Sequence, residues 1–90
     1  LNYIYPQDPD MHRKLGSLYL EAGNAAHAVR EYRALVGMKP LDAAGAHFDL
    51  ARALRAARKN DEALEQVLLA LEAAPGFKPA QKLLLELNAK

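Results

Sequence analysis

The ninety-residue chain contains no cysteine, and this absence excludes a disulfide framework, a thiolate zinc site and a thiol nucleophile. It also contains no threonine, and Ser17 is its only serine. Ser17 falls in a helical pattern without the glycine elbow that exposes a catalytic serine. The five glycines are scattered and form no phosphate-binding loop. We therefore predict that the chain is not an enzyme, has no catalytic residue and needs no cofactor.

The chain also lacks a large excess of positive or negative charge and any long apolar run. Twelve basic and eleven acidic residues give a net charge of +1, without the basic excess typical of nucleic-acid binding. The longest apolar run, 67–71, is far shorter than the roughly 20 residues that cross a bilayer. We expect no nucleic-acid or membrane partner, and one small domain spanning 1–90. A cytoplasmic location is favoured, and the first residue, Leu1, suggests a processed chain or a fragment.

The sequence repeats itself after 35 residues, with large residues aligned on large ones and small on small. Within each unit the apolar residues recur at helical spacing in two stretches, which predicts a helical hairpin used twice. The aligned pairs are Leu15 with Leu50, Gly16 with Ala51, Tyr19 with Leu54, Ala28 with Ala63, Tyr32 with Val67, and Pro40 with Pro75. We predict that Gly16 and Ala28, like Ala51 and Ala63, are small because antiparallel helices approach closely where they cross.

These positions resemble the signature of the tetratricopeptide repeat family, a helix-turn-helix unit of 34 residues. The resemblance implies an all-α, right-handed superhelix built from two helical hairpins and a capping helix. It divides the chain into repeat 1 at 9–40, repeat 2 at 41–75 and a capping helix at 76–90. Residues 1–8 are expected to be the tail of a preceding unit or an extended arm. The family's usual role implies a scaffold for protein–protein interaction.

The resemblance also implies a concave groove, lined by the first helix of each hairpin, that binds a peptide or partner segment. The matching slots hold Arg13, Ser17, Leu20, Phe48, Arg52 and Arg55. An exposed Phe48 would be an apolar anchor, and the arginines would receive carboxylates of an acidic or C-terminal peptide. The competing interpretation is a solvated face whose charges complement the helix dipoles.

Two histidines, His12 and His47, occupy equivalent slots and raise the question of a metal site. Zinc requires further ligands in suitable geometry, and no such spacing is present, so half-buried packing histidines are favoured and no metal is expected.

A different function remains open: a C-terminal accessory or assembly segment of a larger bacterial protein, enzymatic or not. Both chain ends are apolar, which favours self-association. A homodimer would then form through the N-terminal arm or through Leu83, Leu84 and Leu87.

Overall fold

The computed structural model describes residues 9–38 and 42–88, and these form five α-helices. In chain order they are α1 (Pro9–Glu21), α2 (Ala25–Gly37), α3 (Ala43–Ala56), α4 (Asn60–Ala73) and α5 (Lys78–Asn88). The expected tail or arm at 1–8 lies outside the described residues, as does the closing Pro40.

Each helix packs mainly against its neighbours in the chain, so α1 with α2 and α3 with α4 form two hairpins. The second helix of the first hairpin, α2, packs against α3, and α5 packs against α4. Lighter contacts join α1 to α3 and α3 to α5, which places these first helices side by side. The predicted all-α helical-repeat fold is confirmed. None of the described helices has the length and apolar character needed to cross a membrane.

The turns inside the two hairpins are equivalent in conformation as well as in sequence position. Gly23 has φ 80° and Arg58, 35 residues later, has φ 66°, so both occupy the left-handed region. In each turn the next residue donates a backbone hydrogen bond five residues back, from Asn24 to Tyr19 and from Lys59 to Leu54. This pattern terminates a helix and is usually built with glycine, which Arg58 replaces in the second hairpin.

Within residues 9–38 and 42–88, the core consists of two buried clusters. The first joins the two hairpins and contains Ala28, Val29, Tyr32, Leu35, Ala46, Leu50, Ala53, Leu54 and Ala63. The second attaches α5 to the second hairpin and contains Ala51, Val67, Ala70, Ala80 and Leu83. Of the remaining signature residues, Gly16 is buried, Leu15 and Tyr19 are half-buried, and Pro75 is exposed.

Gly16 faces an aromatic ring. A Cβ atom at this position would lie 2.6 Å from Cζ of Tyr32 and 2.8 Å from its two Cε atoms. The expectation of a close helix approach at Gly16 is therefore right, but the nearest side chain is Tyr32 rather than Ala28. In repeat 2 both alanines of the predicted pair are fully buried, Ala51 in the second cluster and Ala63 in the first.

The leucines expected at a dimer interface are largely engaged inside the chain. Leu83 is only 5 % exposed, while Leu84 and Leu87 are half-buried against the core. The exposed leucine of α5 is instead Leu85, at 69 %. The assignment of Leu83 to a dimer surface is therefore wrong, because α5 turns this side chain toward α3 and α4.

Candidate functional site

A cleft of about 320 Å³ lies between α3 and α5. It is lined by Phe48, Arg52, Arg55, Pro79, Lys82, Leu83 and Glu86, and is called the α3–α5 cleft below. The α3 residues follow one another at spacings of four and three, so they share one helix face. The α5 residues also follow helical spacing, so two facing stripes form the walls. A second depression, lined by Arg52, Arg55 and Ala56, also lies on this surface of α3.

Phe48 supplies apolar surface to the α3–α5 cleft. Its ring meets the ring of Phe77 edge to face, with 5.5 Å between centroids. The guanidinium of Arg52 lies 5.8 Å from the Phe48 centroid, within the range of a cation–π contact. Phe48 is half-buried and packs against the second cluster. The expectation of an exposed Phe48 is thus corrected, because Phe77, just before α5, covers part of the ring.

Arg55 and Glu86 form an ion pair across the α3–α5 cleft. The Arg55 Nη1 atom donates to Glu86 Oε1 at 2.5 Å. The two side chains remain 49 % and 40 % exposed, so water surrounds the pair. A predicted carboxylate receiver is therefore already bound to a carboxylate of the same chain.

A second ion-pair network joins α1 to α3. Arg13 Nε lies 3.2 Å from Asp49 Oδ2, and Arg52 Nη1 lies 3.6 Å from Asp49 Oδ1. Burial raises the pKa of the Asp49 carboxyl, and the positive charges of Arg13 and Arg52 offset only part of that rise. The Nε and Nη2 atoms of Arg13 are essentially out of contact with solvent. Arg13 is thus held by Asp49, and two of its three guanidinium nitrogens are closed to a ligand although the side chain as a whole is 39 % exposed.

The other two α1 residues predicted for the groove lie away from the α3–α5 cleft. Ser17 is half-buried on α1, and Leu20 is half-buried against the first core cluster. The structure thus brings Phe48, Arg52 and Arg55 together with α5, but does not join Ser17 and Leu20 to them.

The equivalent histidines each bridge the two helices of their hairpin. His12 Nδ1 lies 2.7 Å from Glu31 Oε1, and His47 Nδ1 lies 2.7 Å from Gln66 Oε1. Both pairs are part-buried, and their members are 19 residues apart in each repeat. Each histidine thus fastens a first helix to its second helix. Among residues 9–38 and 42–88, no three His, Asp or Glu side chains gather into a candidate metal site.

Sequence reasoning missed the α5 wall of the cleft. Lys82 and Glu86 lie 34 residues after Phe48 and Arg52, one residue fewer than the offset between the two hairpins, and they line the cleft opposite these α3 residues. That spacing is the signal that would have found them. This spacing was hard to recognise because leucines dominate the sequence pattern of α5, and such a pattern indicates only a capping helix.

The stacked hairpins define an all-α repeat protein in which α3 lies beside both α1 and α5. The family model described as Tetratricopeptide repeat matches residues 3–76, and the chain belongs to this family. Repeats of this kind generally mediate protein–protein interactions, and the family is typically a non-catalytic interaction module. A comparison with curated proteins gave no match.

Proposed function

We propose that the chain is a scaffold that captures an acidic peptide or partner segment in the α3–α5 cleft. The observation that carries this proposal is the convergence of Phe48, Arg52 and Arg55 with α5 around one depression. Phe48 and Pro79 supply apolar contact surface, and Leu83, which is almost fully buried, lies behind them. Among the described lining residues, three are cationic, Arg52, Arg55 and Lys82, and one, Glu86, is a carboxylate, so this lining favours an acidic ligand.

The volume of the cleft sets the size of the bound element. About 320 Å³ lies near the lower end of the range of roughly 300–1,000 Å³ seen for ligand clefts. The cleft therefore takes one large apolar side chain, with the flanking carboxylates resting on the arginines at its rim. Guanidinium groups suit this role because they pair with carboxylates in a bidentate fashion.

The test is a peptide-binding titration with the double substitution Arg52→Ala, Arg55→Ala. The probe is a terminally blocked peptide in which one leucine is flanked by glutamates, and its glutamine analogue is the comparison. Each exposed charge pair is worth about 0.2–1 kcal/mol, so the double substitution is expected to weaken binding about 2- to 30-fold. Helicity by circular dichroism should not change.

The matched control is Arg30→Ala, Arg33→Ala, which removes the same charge from α2, outside the cleft lining. It should leave affinity close to that of the parent chain. Undiminished affinity after the α3 substitutions, or equal binding of the glutamine analogue, would contradict the proposal.

A second candidate function, self-assembly, is favoured by the outer face of α1. Leu18 is the repeat counterpart of Ala53, which is fully buried in the cluster that joins α2 to α3. Leu18 itself is 60 % exposed, because no described helix covers α1 as α2 covers α3. On this alternative, the chain is an assembly segment, and the outer face of α1 packs against a second copy.

Sedimentation velocity tests the second candidate. The alternative predicts a dimer at high micromolar concentration that Leu18→Ser converts to monomer. The control substitution Leu68→Ser, at another exposed leucine, on α4, should leave the dimer intact. A parent chain that sediments as a monomer at all concentrations argues against self-assembly.

A further inference from the structure

We propose that Glu86 is a built-in competitor for the ligand carboxylate, so the α3–α5 cleft binds its acidic partner by exchanging the Arg55–Glu86 pair. This inference rests on the proposed function, because it concerns how that site is occupied. It assigns to α5 a role in setting the affinity and selectivity of the cleft as well as in covering the core.

The geometry places Glu86 where a ligand carboxylate would bind. Its Oε1 atom accepts from Arg55 Nη1 at 2.5 Å, and both residues line the cleft. Arg55 is 31 residues from Glu86 in the chain, so the pair exists only because α5 lies beside α3. A peptide carboxylate that approaches Arg55 must therefore share or displace Glu86.

The surroundings of the pair make such an exchange feasible. Both side chains are more than a third exposed, and exposed ion pairs contribute little net stability because water and salt screen them. Glu86 is thus held weakly enough to leave. The Arg13–Asp49 pair differs, because Asp49 is only 16 % exposed and the Nε and Nη2 atoms of Arg13 are buried, although the Arg13 side chain as a whole is 39 % exposed.

The charge lining the cleft specifies the occupant. With Glu86 paired to Arg55, Arg52 and Lys82 remain as lining cations. Arg52 Nη1 lies 3.6 Å from Asp49 Oδ1, and the Arg52 guanidinium lies over the Phe48 ring. These two contacts orient the guanidinium beside the apolar surface of Phe48. The expected ligand is a peptide segment with one large apolar residue flanked by carboxylates. A peptide with a single carboxylate gains little affinity, because that carboxylate only replaces Glu86 as the partner of Arg55. The cleft should therefore select peptides that carry several acidic residues.

The experiment measures the affinity of the leucine–glutamate peptide for four chains by fluorescence anisotropy: the parent, Glu86→Gln, Arg55→Gln and the double variant. Glu86→Gln keeps the size and helix preference of the side chain and removes only its charge. The expected result is a two- to fivefold tighter complex for Glu86→Gln. This gain should vanish in the Arg55→Gln background. The control is Glu72→Gln, the same charge change on exposed α4 surface outside the lining.

The possible outcomes separate the inference from the proposed function. If Glu86→Gln binds the peptide more tightly than the parent does, and this gain depends on Arg55, the result supports both the inference and the proposed function. Both are also supported if Glu86→Gln binds the peptide and the parent does not. If the parent binds and Glu86→Gln binds equally or more weakly, the competitor role is overturned while the cleft stands. If Glu72→Gln produces the same gain in peptide affinity, the gain is a long-range charge effect, and this result also overturns the competitor role of Glu86. If neither the parent nor Glu86→Gln binds the peptide, the proposed function fails and the inference fails with it.

Discussion

The contact between Gly16 and Tyr32 predicts that Gly16→Ala destabilises the chain, although alanine is the better helix former. The new Cβ would lie 2.6–2.8 Å from three ring carbons of Tyr32, whereas carbon atoms pack at about 3.5–4.0 Å. Tyr32 is 1 % exposed, so its ring has no adjoining solvent into which it can move freely. The ring or the helix must therefore shift by about 1 Å.

The expected magnitude combines two opposing effects. Overpacking of a close-packed core costs about 1–3 kcal/mol, and the helix preference of alanine over glycine returns about 1 kcal/mol. Because the shortfall in distance is large, we expect a net loss of about 1–2 kcal/mol in the free energy of unfolding. For a chain of this size, that corresponds to a fall of about 4–16 °C in Tm. Urea denaturation followed by circular dichroism measures the free energy of unfolding, and thermal denaturation followed by the same signal measures Tm.

Two further variants separate packing from helix preference. Gly37→Ala, at an exposed helical glycine with nothing within 4 Å of the new Cβ, should raise stability by about 0.5 kcal/mol. Combined with Gly16→Ala, Tyr32→Val gives repeat 1 the alanine–valine pair that repeat 2 holds at Ala51 and Val67. It should be costly alone, but combined with Gly16→Ala it should be about 1–2 kcal/mol more stable than the sum of the single changes. A stabilising Gly16→Ala, or a cost that is the same with valine at position 32, would refute the packing explanation.

Three other predictions follow from the hairpins. Arg58→Gly should raise the free energy of unfolding by about 0.5–1 kcal/mol, because it relieves a left-handed backbone at a non-glycine residue; an unchanged urea midpoint would count against this. His47→Ala should lower the free energy of unfolding by about 1 kcal/mol in the same assay, because it removes the hydrogen bond to Gln66. If His47→Ala costs as much in a chain that already carries Gln66→Ala, the two side chains are not coupled. Burial raises the pKa of the Tyr32 phenol above its ordinary value near 10, so this group's contribution to stability is complete below pH 10 and is lost as the pH rises through the folded-state pKa. Alkaline unfolding monitored by tyrosinate absorbance should show this fall, and Tyr32→Phe should reduce it.

The hairpins were predictable from sequence because their determinants are local. Helical spacing of apolar residues and the repeat offset identify four helices and their small crossing residues without knowledge of helix orientation. The side chain opposite Gly16 was not predictable in the same way. It depends on how α1 and α2 are rotated about their axes, and this rotation brings Tyr32 rather than Ala28 nearest.

The candidate site was predictable only on the α3 side. The family pattern located Phe48, Arg52 and Arg55, because those slots lie on one helix face. Their partners come from outside α3: Phe77 lies in the loop before α5, and Glu86 lies within α5. Such contacts depend on how the hairpin and α5 pack together, which no local pattern encodes. For the same reason, the capture of Arg13 by Asp49 became visible only in three dimensions.

The most direct test of the proposed site is chemical-shift mapping of the isotope-labelled chain titrated with the leucine–glutamate peptide. We expect saturable shifts concentrated at Phe48, Arg52, Arg55, Lys82 and Glu86, the facing walls of the α3–α5 cleft. Shifts confined to the outer faces of α1 or α4, or no saturable shifts at all, would contradict the assignment of peptide capture to this cleft.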